Sequence, residues 1–370
     1  MAAAGAGTEL AIVKIGTSSV ARANGELDES ALAKLCRDIA TAREAGYPIV
    51  LVLSGAVAAG MPALGLTERP ADTGTLQAIA AVGQPRLFAR VASMLEAHNF
   101  VAGQVLLTPN DFMQRSSYLH ARETLHRLLE LRVIPVVNEN DTIADDEIRY
   151  GDNDRLAALV SHMLGARTLL LLTDTRGLFT ADPGLDSEAS LIEEIIEVDA
   201  ALEAVAGGTG TDRGSGGMAS KLAAAKIAAW SGVRVVIAAA DVAGVVAAAI
   251  DETTPVGTVV RPRGTRLSSR KLWIAFARHA AGRIVVDAGA RRALAEDHRS
   301  LLPAGVRGVE GDFEADDAVE VVTDDGAVCA KGLVRYDSAT LRRVAGHQTG
   351  DLPDGAAHEV IHRDDLVVLA

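Results

Sequence analysis

Short apolar runs separated by helix-length segments restrict this chain more than any other feature. Residues 10–15, 49–53, 101–107, 133–137 and 168–172 are rich in Val, Ile and Leu. Runs this short and this apolar read as buried strands. Between them lie helical signals. Asp28 caps a helix over residues 29–45, closed by Gly46 with Pro48 beyond; a longer one spans 75–98 with a break or kink at Pro85; another covers 116–131. Residues 233–238 supply the last strand of this half. Strands alternating with helices call for an α/β architecture, a mostly parallel sheet sandwiched by helices. The composition agrees, since 49% of residues are hydrophobic but only 3% aromatic, a style that suits α/β layers better than an aromatic-rich sandwich.

In open α/β sheets ligands sit beyond the carboxyl ends of the strands, and these strand ends are chemically loaded. The first run carries Lys14 and passes into Gly16-Thr17-Ser18-Ser19. A lysine at the end of a buried strand is costly unless its ammonium meets a partner or an anionic ligand; an edge-strand lysine before an ordinary turn is the plainer reading. The second run ends in Ser54-Gly55-Ala56-Val57, small residues that either open a helix as an anion-receptive pocket of backbone N–H groups or serve close strand–helix packing. The third ends at Thr108-Pro109-Asn110-Asp111. The fourth stops at Asn138-Glu139-Asn140-Asp141, and an acidic loop then leads to Gly151-Asp152-Asn153-Asp154 and a helix over 156–164. Asn and Asp gathered there can hold a small polar ligand, and Asp152 or Asn153 can cap the helix. The fifth ends at Thr173-Asp174. Residues 207–217 hold six glycines in eleven positions ahead of Met218-Ala219-Ser220-Lys221 and a helix to Trp230. Long glycine-rich loops are usually functional or disordered.

The character changes near Arg261. Residues 1–262 read as one catalytic domain, 263–277 as a basic, Ser-containing linker, and 278–370 as a small β-rich domain with a C-terminal tail. Its β-like runs fall at 283–286, 318–322, 327–334, 359–362 and 365–369. His358-Glu359-Val360-Ile361-His362 matches H-E-x-x-H, but that pattern binds zinc only on a helix, and its β-branched surroundings argue against one.

Several function classes drop out. A net charge of −13 disfavours indiscriminate binding to nucleic acid or anionic membranes. The two cysteines, Cys36 and Cys329, give neither a disulfide framework nor metal spacing, which fits a reducing cytosol. The first ten residues lack the basic and apolar regions of a signal peptide, and no apolar stretch is long enough to span a bilayer; a soluble, cytoplasmic protein is expected. There is no P-loop, no G-x-G-x-x-G opening a helix after the first strand, and no G-x-S-x-G elbow. No histidine has an evident nucleophile partner.

The lysines point elsewhere. Lys14 ends the first strand and Lys221 opens a helix behind the glycine-rich loop, and two such lysines on one sheet edge can straddle a polyphosphate as point charges. Phosphoryl transfer needs in-line positioning and cancellation of charge rather than covalent chemistry from the protein. An acidic residue between the lysines would hold them apart and aimed, and Asp154 is the natural candidate.

Taken together, Lys14 to Ser18, Ser54 to Val57, Asn138 to Asp141, Gly151 to Asp154 and Gly216 to Lys221 resemble the glutamate 5-kinase branch of the amino-acid-kinase family, with a C-terminal segment similar to a PUA domain. The first and last motifs are shared across the family, whereas the NEND and GDND pair is much more specific to that branch. The resemblance implies ATP-dependent phosphorylation of the γ-carboxylate of L-glutamate, the first step of proline synthesis. It implies Lys14 and Lys221 on the ATP phosphates, Asp154 orienting both, and Ser54, Asp141 and Asn153 on glutamate, Asp141 toward the ammonium. Thr173, Asp174, Ser215, Gly216, Gly217, Met218, Ala219, Ser220 and Lys221 would line the nucleotide site, where Thr is as usual as Ala at position 219. Mg²⁺ would be held mostly by phosphate and water. Feedback inhibition by proline, assembly into a homo-oligomer and transient contact with a glutamyl-phosphate reductase are implied as well. The alternatives are a kinase of aspartate, acetylglutamate or carbamate, or an RNA-binding protein acting through the small domain. From Phe276 onward, however, 11 Lys and Arg stand against 17 Asp and Glu, whereas an RNA-contacting module should present a basic face.

Overall fold

A computed structural model of the chain describes residues 9–22, 25–143, 153–207, 217–252, 254–277, 280–348 and 357–369. The chain divides into two compact units, Met1–Arg266 and Leu267–Ala370.

The first unit is built on an eight-stranded sheet in the order β3-β4-β2-β1-β5-β7-β8-β6. The strands are β1 (Ala11–Ile15), β2 (Ile49–Leu53), β3 (Ala102–Leu107), β4 (Ile134–Glu139), β5 (Thr168–Thr173), β6 (Glu194–Ile195), β7 (Arg234–Ala239) and β8 (Thr258–Val260). All pair in parallel except β7 with β8. Every residue of β1, β2, β4 and β5 is buried, as expected of parallel strands covered on both faces, which explains why they appear in the sequence as unbroken apolar runs. The helices are α1 (Glu29–Glu44), α2 (Ala56–Gly60), α3 (Thr73–Glu96), α4 (Pro109–Met113), α5 (Arg115–Glu130), α6 (Asn153–Leu164), α7 (Ala200–Gly207), α8 (Met218–Trp230) and α9 (Val245–Asp251). Asp28 does cap α1, its carboxylate accepting from the Ser30 and Ala31 amides.

Three sequence expectations need correction. Lys14 is not on an edge strand, because β1 lies in the middle of the sheet between β2 and β5. β7 is not the last strand of this unit, since β8 and β6 follow it in the sheet; with three and two residues they are too short to show a period. Finally, of the break or kink expected at Pro85, the break is absent, because α3 continues through it.

One close approach matters for the site. The five-residue α2 lies against α3, and a Cβ on Gly83 would sit 1.8 Å from the Ala56 carbonyl oxygen and 2.5 Å from the Gly60 nitrogen. A Cβ on Gly60 would meet the Ile79 carbonyl oxygen at 2.1 Å. The small residues after β2 therefore serve close helix–helix packing.

The second unit has a five-stranded sheet, β10-β9-β11-β12-β13, from β9 (Gly282–Val286), β10 (Val306–Gly311), β11 (Ala318–Thr323), β12 (Val328–Leu333) and β13 (Leu366–Val368). Only β9 and β11 pair in parallel. Helices α10 (Ser269–Leu272), α11 (Ala288–Ala295) and α12 (Ser338–Val344) accompany it. Within 263–277, read above as a linker, α10 is followed by a helical turn over Trp273–Ala277, and Leu272 and Ile274 are buried. β10 escaped the sequence reading because Arg307, Gly308, Glu310 and Gly311 interrupt its apolar alternation. Residues 359–362 form no strand, only an antiparallel bridge between Ile361 and Leu301, and His358 to His362 is not helical. Cys36 and Cys329 are both buried and unpaired, and burial pushes the Cys36 thiol up to about 12. Among the described residues no helix is long and apolar enough to cross a membrane.

Candidate active site

The carboxyl ends of β1, β2, β4 and β5 bring together Lys14, Ser54, Asn138, Glu139 and Thr173. α6 starts above them, and its first two residues reach into two different networks.

Asp154 makes the first. Its Oδ1 lies 2.5 Å from Lys14 Nζ and its Oδ2 3.4 Å from Lys221 Nζ. The Ser220 hydroxyl donates to the same Oδ2 at 3.1 Å. The side chains of Lys14, Asp154 and Lys221 are 3%, 0% and 5% exposed, so this is a buried cluster of two cations and one anion. Burial pushes the Asp154 carboxyl up, but the two ammonium groups, with hydrogen bonds from Lys14 and Ser220, outweigh it and hold the acid below the usual carboxylate range. Two ammonium groups converging on one carboxylate at the carboxyl ends of the strands favour an anion nearby.

Asn153 makes the second network. Its Nδ2 donates to Ser54 Oγ and to Asn138 Oδ1, each at 2.9 Å. The Glu139 amide donates to Asn138 Oδ1 at 2.9 Å and to Asn153 Oδ1 at 3.3 Å. Asn138 Nδ2 in turn donates to Gln84 Oε1 on α3 at 2.5 Å. Asn138 and Glu139 are not a polar turn after the strand: they complete β4 and are 2% and 6% exposed. Beyond them, a cavity of about 230 Å³ is lined by Gln84, Gln104, Glu139, Asn140, Asp141 and Thr142, with apolar atoms from Ala80, Ala81, Pro85 and Leu106. Burial pushes the Asp141 carboxyl up to about 6, against the lowering influence of Arg69.

Thr173 is buried at the end of β5 and its hydroxyl donates to the exposed Asp174 carboxylate at 3.1 Å. Gly217 is the N-cap of α8 and offers no side chain; Met218, Ala219, Ser220 and Lys221 form the first turn. Gly151, Asp152, Ser215 and Gly216 lie outside the described residues. Lys14, Asp154, Ser220 and Lys221 are thus brought into one cluster, and Ser54 and Asn153 into one network beside it. Asp141 lines the adjoining cavity, and Thr173 with Asp174 occupies the end of the strand next to β1. The sequence reading missed Gln84 and the linking role of Asn138. A lone glutamine before a proline in an Ala-rich helix gives little signal, whereas Asn138 stood in plain view within a polar motif.

Among the described residues no group of three or more His, Cys, Asp or Glu side chains could hold a metal ion. The carboxylate nearest the lysines, Asp154, is already engaged through both oxygens. Among the described residues the donor set does not form a cage for Mg²⁺.

The model of the amino acid kinase family matches residues 9–239, and that of the PUA domain matches 282–355. A glutamate 5-kinase of Myxococcus xanthus strain DK1622 is 45% identical over 97% of this chain and 96% of its own length. A glutamate 5-kinase of Moorella thermoacetica is 42% identical over the same shares. One of Mycolicibacterium smegmatis is 44% identical over 96% of each chain.

Proposed function

The chain belongs to the amino acid kinase family, in its glutamate 5-kinase branch, and we propose the following assignment of its site to that chemistry. The enzyme is a phosphotransferase with a carboxyl acceptor: it phosphorylates the γ-carboxylate of L-glutamate with ATP, giving L-glutamyl 5-phosphate for proline synthesis. A carboxylate oxygen forms a bond to the γ-phosphorus, the bond from that phosphorus to the β,γ-bridging oxygen breaks, and ADP leaves with the electron pair. No proton is transferred, so no strong protein base is required.

The observation that carries the assignment is Asp154 gripping both Lys14 and Lys221 at 2.5 and 3.4 Å in a buried site. Lys14 and Lys221 are the catalytic residues, lying against the ATP phosphates and cancelling charge on the transferred group, and Asp154 is the residue that positions them. Thr173, Asp174 and the segment from Ser215 through Lys221, including Gly216, Gly217, Met218, Ala219 and Ser220, hold the nucleotide. Ser54, Asn153 and Asp141 hold glutamate. Mg²⁺ enters with ATP, on phosphate oxygens and water, since the described residues offer no cage for it. The same reading extends to proline as a feedback inhibitor, a homo-oligomer, a transient contact with a glutamyl-phosphate reductase and a cytoplasmic location. Residues 1–262 form the kinase domain, 263–277 the connection and 278–370 the PUA-like domain.

Phosphate transfer to L-glutamate, L-aspartate, N-acetyl-L-glutamate and carbamate, assayed side by side, tests the substrate. Glutamate should lead by at least tenfold in kcat/KM; preference for another acid would keep the family and overturn the substrate.

A further inference from the structure

The amide of Asn153 has no donor left to offer a ligand. A primary amide has two N–H donors, and both are taken, by Ser54 Oγ and by Asn138 Oδ1. The direction of these bonds is fixed by the backbone: the Glu139 N–H donates to both amide oxygens, so the oxygens of Asn138 and Asn153 face β4 and their nitrogens face away. Ser54 Oγ, having accepted from Asn153, keeps its own hydrogen. Among the described residues that hydrogen has no acceptor. At this end of the network it is the donor that a carboxylate ligand would meet.

The far end of the chain of bonds holds the same orientation. Asn138 can present its oxygen to Asn153 only while its Nδ2 points the other way, and there it meets Gln84 Oε1 at 2.5 Å. Were Asn138 to turn over, its NH₂ would face the NH₂ of Asn153, two donors opposed in a buried space, and Asn153 would lose its hold on Ser54. Gln84, accepting from Nδ2, works with the Glu139 N–H at Oδ1 to oppose this. It reaches the network from α3, the helix whose Gly83 allows α2, and with it the Ser54 loop, to approach so closely. Gln84 also lines the cavity that holds Asp141.

We propose that Gln84 is a positioning residue for the acidic substrate: by accepting from Asn138 it fixes the sequence of donors Asn138, Asn153 and Ser54 so that the Ser54 hydroxyl donates to a substrate carboxylate. This rests on the glutamate-kinase reading above.

A double-mutant cycle tests it. Gln84→Met keeps length and helix propensity but removes the acceptor; Ser54→Ala removes the terminal donor. In wild-type background Gln84→Met should raise KM for glutamate about five- to tenfold, the loss of roughly one hydrogen bond, with KM for ATP unchanged within twofold. In the Ser54→Ala background the same substitution should have no further effect on KM for glutamate, because its action runs through the missing hydroxyl. Equal losses in both backgrounds, or a shift in KM for ATP as large as that for glutamate, would overturn the proposal and leave Gln84 a packing residue. Thermal melts of all four proteins separate misfolding from these effects, and Gln84→Glu, which keeps an acceptor, should stay closer to wild type than Gln84→Met. Absence of glutamate turnover in the wild type would overturn the function itself, a result distinct from additivity in an enzyme that does use glutamate.

Discussion

Replacing Asp154 by Asn removes a charge while leaving shape almost untouched, and the consequences divide into a structural and a catalytic part. At separations of 2.5 and 3.4 Å and an effective dielectric of about 20, the attractions to Lys14 and Lys221 are on the order of 7 and 5 kcal/mol before desolvation is counted. Desolvation of the three groups offsets much of that, and removal of one partner from a buried ion pair costs about 3–5 kcal/mol in practice. At roughly 2–4 °C per kcal/mol for a domain of this scale, Asp154→Asn should lower the melting temperature by on the order of 10 °C. The variant takes the Asp154 carboxylate away from two buried ammonium groups, so a polyphosphate that replaces its negative charge should restore more stability than it gives wild type. ATP at saturating concentration should therefore raise the melting temperature of the variant by more degrees than that of the wild type. Catalysis responds differently. With the lysines no longer aimed, kcat should fall by about 10²–10³, the usual cost of losing a preorganised charge-stabilising contact. The assays are differential scanning fluorimetry with and without ATP and steady-state kinetics at saturating substrates. A variant with unchanged melting temperature and kcat within threefold of wild type would refute the reasoning.

Other perturbations test separate parts of the account. Burial pushes the Asp141 carboxyl up to about 6 from its ordinary 3.8. If its ionised form receives the substrate ammonium, kcat/KM for glutamate should fall as pH drops below about 6, and Asp141→Asn should abolish that acid limb. The same shift makes ionised Asp141 unfavourable to folding, so the stability of Asp141→Asn relative to wild type should rise as pH increases from 4 to 6 and stay level above it, as pH-dependent chemical denaturation would record. Asp154 has the opposite sign: its folded pKa lies below 3.8, so its contribution is intact above that value and is lost only as pH falls further. Gly83→Ala would place a Cβ 1.8 Å from the Ala56 carbonyl oxygen. Overpacking of this kind costs about 1–3 kcal/mol, visible as a lower melting temperature, and by displacing the Ser54 loop it should raise KM for glutamate more than KM for ATP.

Much of the kinase unit is legible in the sequence because parallel strands buried on both faces leave little freedom of composition. β1, β2, β4 and β5 appear as nearly unbroken Val, Ile and Leu, and the polar residues that end each run mark where a ligand can sit. The pairing of Lys14 and Lys221 through Asp154 is also accessible, since two cations at strand and helix ends need an anion between them. What escaped depends on contacts between distant segments. The central place of β1 follows from strand order, which no local pattern records. β6 and β8 are too short to show a period, and β10 is interrupted by charged residues and glycine. The hydrogen bond from Asn138 to Gln84 joins residues 54 positions apart, and its importance lies in bond direction rather than in residue type.

Hydroxylamine trapping of the acyl phosphate formed from ATP and L-glutamate, in wild type and in Lys221→Ala, tests most directly whether the buried Lys14–Asp154–Lys221 cluster moves the phosphoryl group. Glutamyl hydroxamate should form in step with ADP in the wild type, and the rate should fall by at least about 10² in the variant. Hydroxamate formation by Lys221→Ala at the wild-type rate, or ADP release indifferent to glutamate, would contradict it.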